Sequence, residues 1–215
     1  MRGLHLDRAI ERVLCLGAHS DDIEIGCGGT MLELLDGGRP LDVTWIVFAA
    51  HGVREQEARD SATAMLAGAK AAEIELEHFR DGFFPSQSAA IKEHFESLKR
   101  RVAPDLVFTH YRNDLHQDHR LIGELTWNTF RDHLILEYEV PKYDGDFGTP
   151  NVFVPLDEAR CQRKIELLLT HFASQRDRRW FSADLFRAML RLRGMEANAP
   201  GGYAEAFYGR KVVLL

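Results

Sequence analysis

Two short stretches gather the side chains that can hold a metal ion or move a proton. The first is Ala18-His19-Ser20-Asp21-Asp22; the second runs from Thr109 to His119 and is the densest cluster of His and Asp in the chain. Imidazole nitrogen and carboxylate oxygen are common zinc ligands, and a catalytic zinc keeps three protein ligands with a fourth position open for water. His19 with Asp22, and His116 with His119, have the three-residue spacing that brings side chains to one face of a helical turn. These are four candidates for about three places, and chemistry alone leaves open which histidine is left over. That histidine would be placed to hydrogen-bond a developing oxyanion or to protonate a leaving amine. Asp21 stands next to a candidate ligand and is free to deprotonate a water whose pKa a metal lowers towards about 7. Asp114 and Asp118 are the nearby carboxylates able to take the second N–H of an imidazole and fix its tautomer.

Taken singly, an Asp at a loop start is usually a helix cap, and Asp21 or Asp118 fits that role. The case for chemistry rests on where the two clusters fall. Apolar runs at Val13–Gly17, Val43–Ala49, Ile74–Phe79 and Leu106–Thr109 read as strands. Between and after them, Thr30–Leu35, Glu55–Lys70, Ala89–Arg101 and Arg120–Phe130 read as helices, the first preceded by a Gly-rich turn. Alternation of this kind predicts an α/β fold: one Rossmann-like, three-layer domain spanning 1–215, with a mainly parallel sheet and helices on both faces. Later, His133–Val140, Val152–Val154 and Ala206–Leu214 read as strands and Glu158–Phe172 and Ala183–Leu192 as helices; Tyr143–Pro150 reads as a loop. In the usual doubly wound order the first and fourth strands are neighbours, and ligands bind beyond their carboxyl ends. Both clusters then line one crevice.

Composition narrows the partners. The 215 residues carry a net charge of -6, which disfavours nucleic acid or an anionic membrane surface as the main partner. No segment is long enough to span a bilayer, and the apolar stretch Val13–Ala18 is short for a signal peptide. Cys15, Cys27 and Cys161 are odd in number and widely spaced, which fits free thiols and a cytoplasmic setting. Homo-oligomerisation is left open.

At the two clusters the sequence resembles the PIG-L/LmbE-like family of zinc-dependent N-deacetylases, which carry an AHPDDE-like and an HPDH-like motif. The matching residues are Ala18 to Asp22 and His116-Gln117-Asp118-His119, with further likeness at Gly26–Thr30, at Arg54 and Glu57, and at Tyr203–Phe207. The resemblance implies zinc held by His19, Asp22 and His119, with Asp21 as base. It implies His116 as oxyanion stabiliser or acid, and Asp118 as the neighbour of that histidine. It implies Arg54 and Asp81 as contacts to the substrate, a small N-acetylated sugar or sugar conjugate that loses acetate. Ser20, Ile23 and Gln117 depart from the family pattern, which touches loop shape more than chemistry; Glu24 follows where the usual glutamate is displaced. The same ligands would accept other divalent metals.

Other features carry less. Gly26-Cys27-Gly28-Gly29 lacks the G-x-G-x-x-G spacing, so no nucleotide cofactor is expected, and the glycines are read as close packing of helix on sheet. The Arg-rich runs Arg176–Phe181 and Arg187–Arg193 read as solvated faces, with a phosphate-gripping rim as the alternative. Phe83-Phe84-Pro85 reads as core or as a sugar-stacking wall. Two rivals remain: a metal-dependent hydrolase of another bond, such as a phosphoester, and a non-enzymatic sugar-binding protein. Asp21 argues against the second, since binding needs no base.

Overall fold

A computed structural model describes residues 10–38 and 40–213. The remaining parts of the expected 1–215 unit lie outside the described residues. Among the described residues seven strands make one sheet: β1 (Arg12–His19), β2 (Asp42–Ala49), β3 (Ala71–Leu76), β4 (Leu106–His110), β5 (Leu134–Tyr138), β6 (Val152–Leu156) and β7 (Tyr203–Gly209). The helices are α1 (Asp22–Asp36), α2 (Val53–Met65), α3 (Ser88–Arg101), α4 (Gln117–Thr129), α5 (Glu158–His171) and α6 (Ala183–Glu196). The strand order is β3-β2-β1-β4-β5-β7-β6. Strands β3 through β5 run parallel, and β7 is antiparallel to both of its neighbours. The expected α/β class with a mainly parallel sheet is what forms.

Period-two alternation along β1 builds two cores. Val13 and Cys15 enter a cluster with residues of α1, α2, α5 and α6. Leu14, Leu16 and Ala18 enter another with Ile91, Phe95 and Leu98 of α3 and Ile122 and Leu125 of α4. A strand covered on both faces must be apolar throughout, which is why β1 and β2 read as continuous hydrophobic runs. Each fully buried Leu or Phe here contributes about 1.5–3 kcal/mol, and the summed effect pins β1 at the centre of the sheet. Because β1 pairs with β4 from Val13↔Leu106 to Cys15↔Phe108, the chain's winding reverses between them. The loops that follow these two strands therefore open into one crevice at the carboxyl edge.

Several boundaries differ from expectation. The Gly-rich segment is not a turn but the second and third turns of α1, which starts at Asp22. Glycine costs about 1 kcal/mol in a helix, and tertiary packing overrides that cost here. A β-carbon on Gly26 would overlap the ring of Tyr138, and one on Gly29 would stand 2.5 Å from Leu156 Cδ1. The N–H groups of Gly29 and Thr30 donate to the Glu205 carboxylate from β7, at 2.8 and 2.6 Å. Lys164 of α5 donates to the Ile25 carbonyl and to Glu205, both at 2.6 Å. Strand β3 begins earlier than its apolar run because Ala71, Ala72 and Glu73 pair with Asp42, Val43 and Thr44 of β2. The last strand ends at Gly209, five residues short of the expected Leu214, which lies outside the described residues. Among the described residues no helix is long and apolar enough to cross a membrane.

Candidate metal centre and active site

His19 is the last residue of β1, and Asp22 opens α1, so strand and helix present the two side chains to one point. The His19 N–H donates to Asp22 Oδ2 at 2.6 Å, fixing the turn between them. His119 reaches the same point from the first turn of α4. His19 Nδ1 lies 3.1 Å from His119 Nε2 and 3.2 Å from Asp22 Oδ2, and His119 Nε2 lies 3.4 Å from the same oxygen. Ligands at about 2.1 Å around a tetrahedral ion stand about 3.4 Å apart, so these three donor atoms fit one face of such a site. His110, at the end of β4, also stands 3.2 Å from Asp22 Oδ2. Its Nε2 takes the Ala18 N–H at 2.9 Å, which makes it the less available donor.

Carboxylates behind the imidazoles set their orientation. Asp114 Oδ2 lies 3.0 Å from His119 Nδ1, leaving Nε2 to face the cluster. Asp114 Oδ1 accepts the His116 N–H at 2.7 Å. The resemblance sets Asp118 beside His116, and the two residues touch, though not through the carboxylate. The Asp118 carboxylate turns to His19 Nε2 at 3.3 Å and accepts the N–H groups of Gly82 and Phe84 at 2.6 and 3.1 Å. Only its amide meets His116, donating to Nδ1 at 3.3 Å as His116 caps α4. That bond leaves the His116 proton on Nε2. The His116 ring centroid stands 5.0 Å from that of His19 and 4.5 Å from that of His119.

Asp21 is buried, with Oδ1 accepting from Arg54 Nη2 at 2.7 Å and Oδ2 without a partner. Arg54 is thus drawn to Asp21, with Glu57 3.7 Å from its other nitrogen. Asp81, largely exposed, has Oδ1 3.1 Å from His19 Nε2. Phe84 is buried as core, whereas Phe83 is exposed under the Arg80 guanidinium at 3.6 Å. The later arginines are mostly engaged: Arg193 with buried Glu139, and Arg187 with Glu158.

Electrostatics follow from this packing. Burial raises the Asp21 carboxyl above its usual range despite Arg54. Burial also pushes Asp22 up, but its imidazole neighbours His119, His19 and His110 outweigh it and hold Asp22 well below. Burial and the neighbouring His110 lower His119 to about 3, and burial with His19 lowers His116. His19 goes the other way: burial is overcome by the Asp22 charge and by hydrogen bonds to Asp118, Asp22 and Asp81. His119 and Asp22 thus hold the protonation states a metal requires, whereas His19 would give up a proton on binding one. Glu24, with neither carboxylate oxygen partnered, is held up at about 8 by burial.

A family profile described as PIG-L, GlcNAc-PI de-N-acetylase, matches residues 14–130, more than half of the chain and including both clusters. The chain belongs to the PIG-L family. Solved structures on the PIG-L fold extend the likeness to nearly the whole chain. N,N'-diacetylchitobiose deacetylase from Pyrococcus horikoshii superposes with a TM-score of 0.69 at 20% identity, covering 92% of this chain and 83% of that one. The A40926 pseudoaglycone deacetylase Dbv21 gives 0.69 at 19% identity, over 96% of this chain and 100% of the other. GalB, the 4-carboxy-2-hydroxymuconate hydratase from Pseudomonas putida KT2440, gives 0.72 at 15% identity, over 96% and 98%. At such identities these likenesses establish the fold alone, and the PIG-L fold evidently serves more than one reaction.

Proposed function

We propose that the protein is a zinc-dependent hydrolase that removes an N-acetyl group from an amino sugar or sugar conjugate. The observation that carries this reading is the triangle of His19 Nδ1, Asp22 Oδ2 and His119 Nε2, with the unpartnered oxygen of buried Asp21 on the adjoining residue. Family membership supports the reaction class. His19, Asp22 and His119 would hold the metal, the donor set being one that zinc accepts. Zinc bound there supplies a Lewis acid and brings the pKa of a water towards about 7. Asp21, with Oδ2 free, would take a proton from the attacking water, and its burial, which raises its basicity, suits the task. His116, with its proton on Nε2, would donate a hydrogen bond to the carbonyl oxygen as negative charge grows there, and the proton gathered by Asp21 would be the one that passes to the departing nitrogen. Arg54 keeps Asp21 oriented while its other nitrogen faces Glu57, and Arg54 and Asp81 at the rim are the residues proposed to meet polar groups of the substrate. With three buried free thiols, we place the protein in the cytoplasm.

The test is acetate release from a panel of N-acetylated sugars, nucleotide sugars and glycan fragments, using metal-stripped protein with and without added zinc. Zinc-dependent release supports the proposal and begins to name the substrate. No release from any of them with zinc bound, together with hydration of an unsaturated acid of the kind GalB acts on, would replace it.

A further inference from the structure

Lys142 belongs to the stretch after β5, where sequence spacing gives no reason to connect it with either His/Asp cluster. Its side chain is mostly buried, and its ammonium lies between two carboxylates that are themselves nearly enclosed. Nζ donates to Asp114 Oδ2 at 2.9 Å and to Asp146 Oδ1 at 2.7 Å, with the Val140 carbonyl at 3.4 Å. Asp114 Oδ2 is the same oxygen that meets His119 Nδ1. Asp146 in turn accepts the Leu115 N–H at 2.7 Å, in the loop that leads into α4. A chain of contacts therefore runs from the segment around 140–146, through one ammonium, to the imidazole at the cluster.

We propose that Lys142 is a positioning residue for His119, acting through Asp114, and that it sets the affinity of the site for a divalent metal. The inference rests on the reading of His119 as a ligand. The His116 N–H holds only Oδ1 of Asp114, and without the ammonium Oδ2, the oxygen facing His119, could turn or draw water. The ammonium bonds the same Asp114 oxygen that meets His119 Nδ1 and holds it there, so that His119 keeps its Nδ1–H on Asp114 and its Nε2 lone pair towards Asp22 and His19. The positive charge also moderates the pull of Asp114 on the imidazole proton. Partners of this kind are worth about 10–100-fold in metal affinity when they touch the ligand directly, and Lys142 stands one contact further out.

The measurement is the zinc Kd of metal-stripped protein by chelator competition, for wild type, Lys142→Met, Lys142→Arg, Asp146→Asn and His119→Ala, with the melting temperature of each metal-free variant alongside. Expected are a Kd raised about tenfold in Lys142→Met, most of it recovered in Lys142→Arg, and a smaller rise in Asp146→Asn. His119→Ala should lose nearly all high-affinity binding. If Lys142→Met folds and binds zinc within twofold of wild type while His119→Ala does not, the role of Lys142 is overturned and the ligand assignment survives. If His119→Ala binds as wild type does, the ligand assignment itself has failed and takes the Lys142 role with it. Should Lys142→Met not fold, Asp146→Asn decides: an unchanged Kd there overturns the proposal.

Discussion

Gly26, in the second turn of α1, lies against the ring of Tyr138 at the end of β5, with no room between them for a β-carbon. The same tyrosine donates its hydroxyl to the Leu16 carbonyl at 2.6 Å and stands 3.3 Å from His110 Nε2. Helix, sheet and the floor of the histidine cluster thus meet at one contact.

Gly26→Ala is expected to destabilise the protein by about 1–3 kcal/mol, since an inserted carbon must displace a ring that is itself pinned by a hydrogen bond. Thermal or urea unfolding checks this. A variant within about 0.5 kcal/mol of wild type would show that the helix shifts freely on the sheet, contrary to the packing described.

Asp21→Asn should retain metal and lose most turnover, by at least about a hundredfold, because the amide keeps the shape but cannot take a proton. Metal content by atomic absorption and kcat on the same preparation decide it. Loss of metal in this variant would make Asp21 a ligand and sink its role as base.

Arg54→Met removes the one cation bonded to Asp21 and leaves that carboxylate buried and unpaired. The expected result is a fall in kcat larger than any rise in KM, since orientation of the base acts on the chemical step. A rise in KM alone, with kcat kept, would instead make Arg54 a substrate contact that does not matter to Asp21.

Asp105 fastens the start of β1 to the turn before β4, accepting from the Arg12 N–H at 2.9 Å, the Glu11 N–H at 3.1 Å and the Arg12 guanidinium at 2.9 Å. The Arg12 hydrogen bond lowers its pKa against the opposing effect of burial, with the backbone N–H groups adding to the shift. A depressed carboxylate pKa stabilises the fold above its unfolded value near about 3.9, and the gain is lost as pH falls through the folded value. Asp105→Asn should therefore cost about 1 kcal/mol at neutral pH, with the gap to wild type closing below about pH 4. A gap that stays constant from pH 7 to pH 3 would mean the charge is not what matters.

The pairing of β1 with β4, and with it the meeting of the two clusters, was legible because both strands are apolar on both faces and each ends in polar ligand-type residues. Local chemistry and topology agreed there. Which way the Asp118 carboxylate turns was not legible: the resemblance set the residue beside His116, and the N–H groups of Gly82 and Phe84, from a distant loop, hold the carboxylate towards His19. The glycines of α1 were read as a turn because their helix-favouring partners, Tyr138, Leu156 and Glu205, are remote in the chain. Lys142 carried no signal at all: its meaning comes from Asp114, 28 residues earlier, and a lysine in a loop is ordinarily a solvated charge.

Glu205 and Lys164 sit outside residues 14–130, which the family profile matches, yet they grip the backbone of the helix that opens with Asp22. A chimera that grafted residues 14–130 onto another body would bring every residue proposed to touch the metal or the proton and still leave that helix without its brace. Removing one member of a buried ion pair costs about 3–5 kcal/mol, enough to spoil such a graft. The smallest transplantable piece must therefore include the late strand, even though nothing in that strand is asked to touch the substrate.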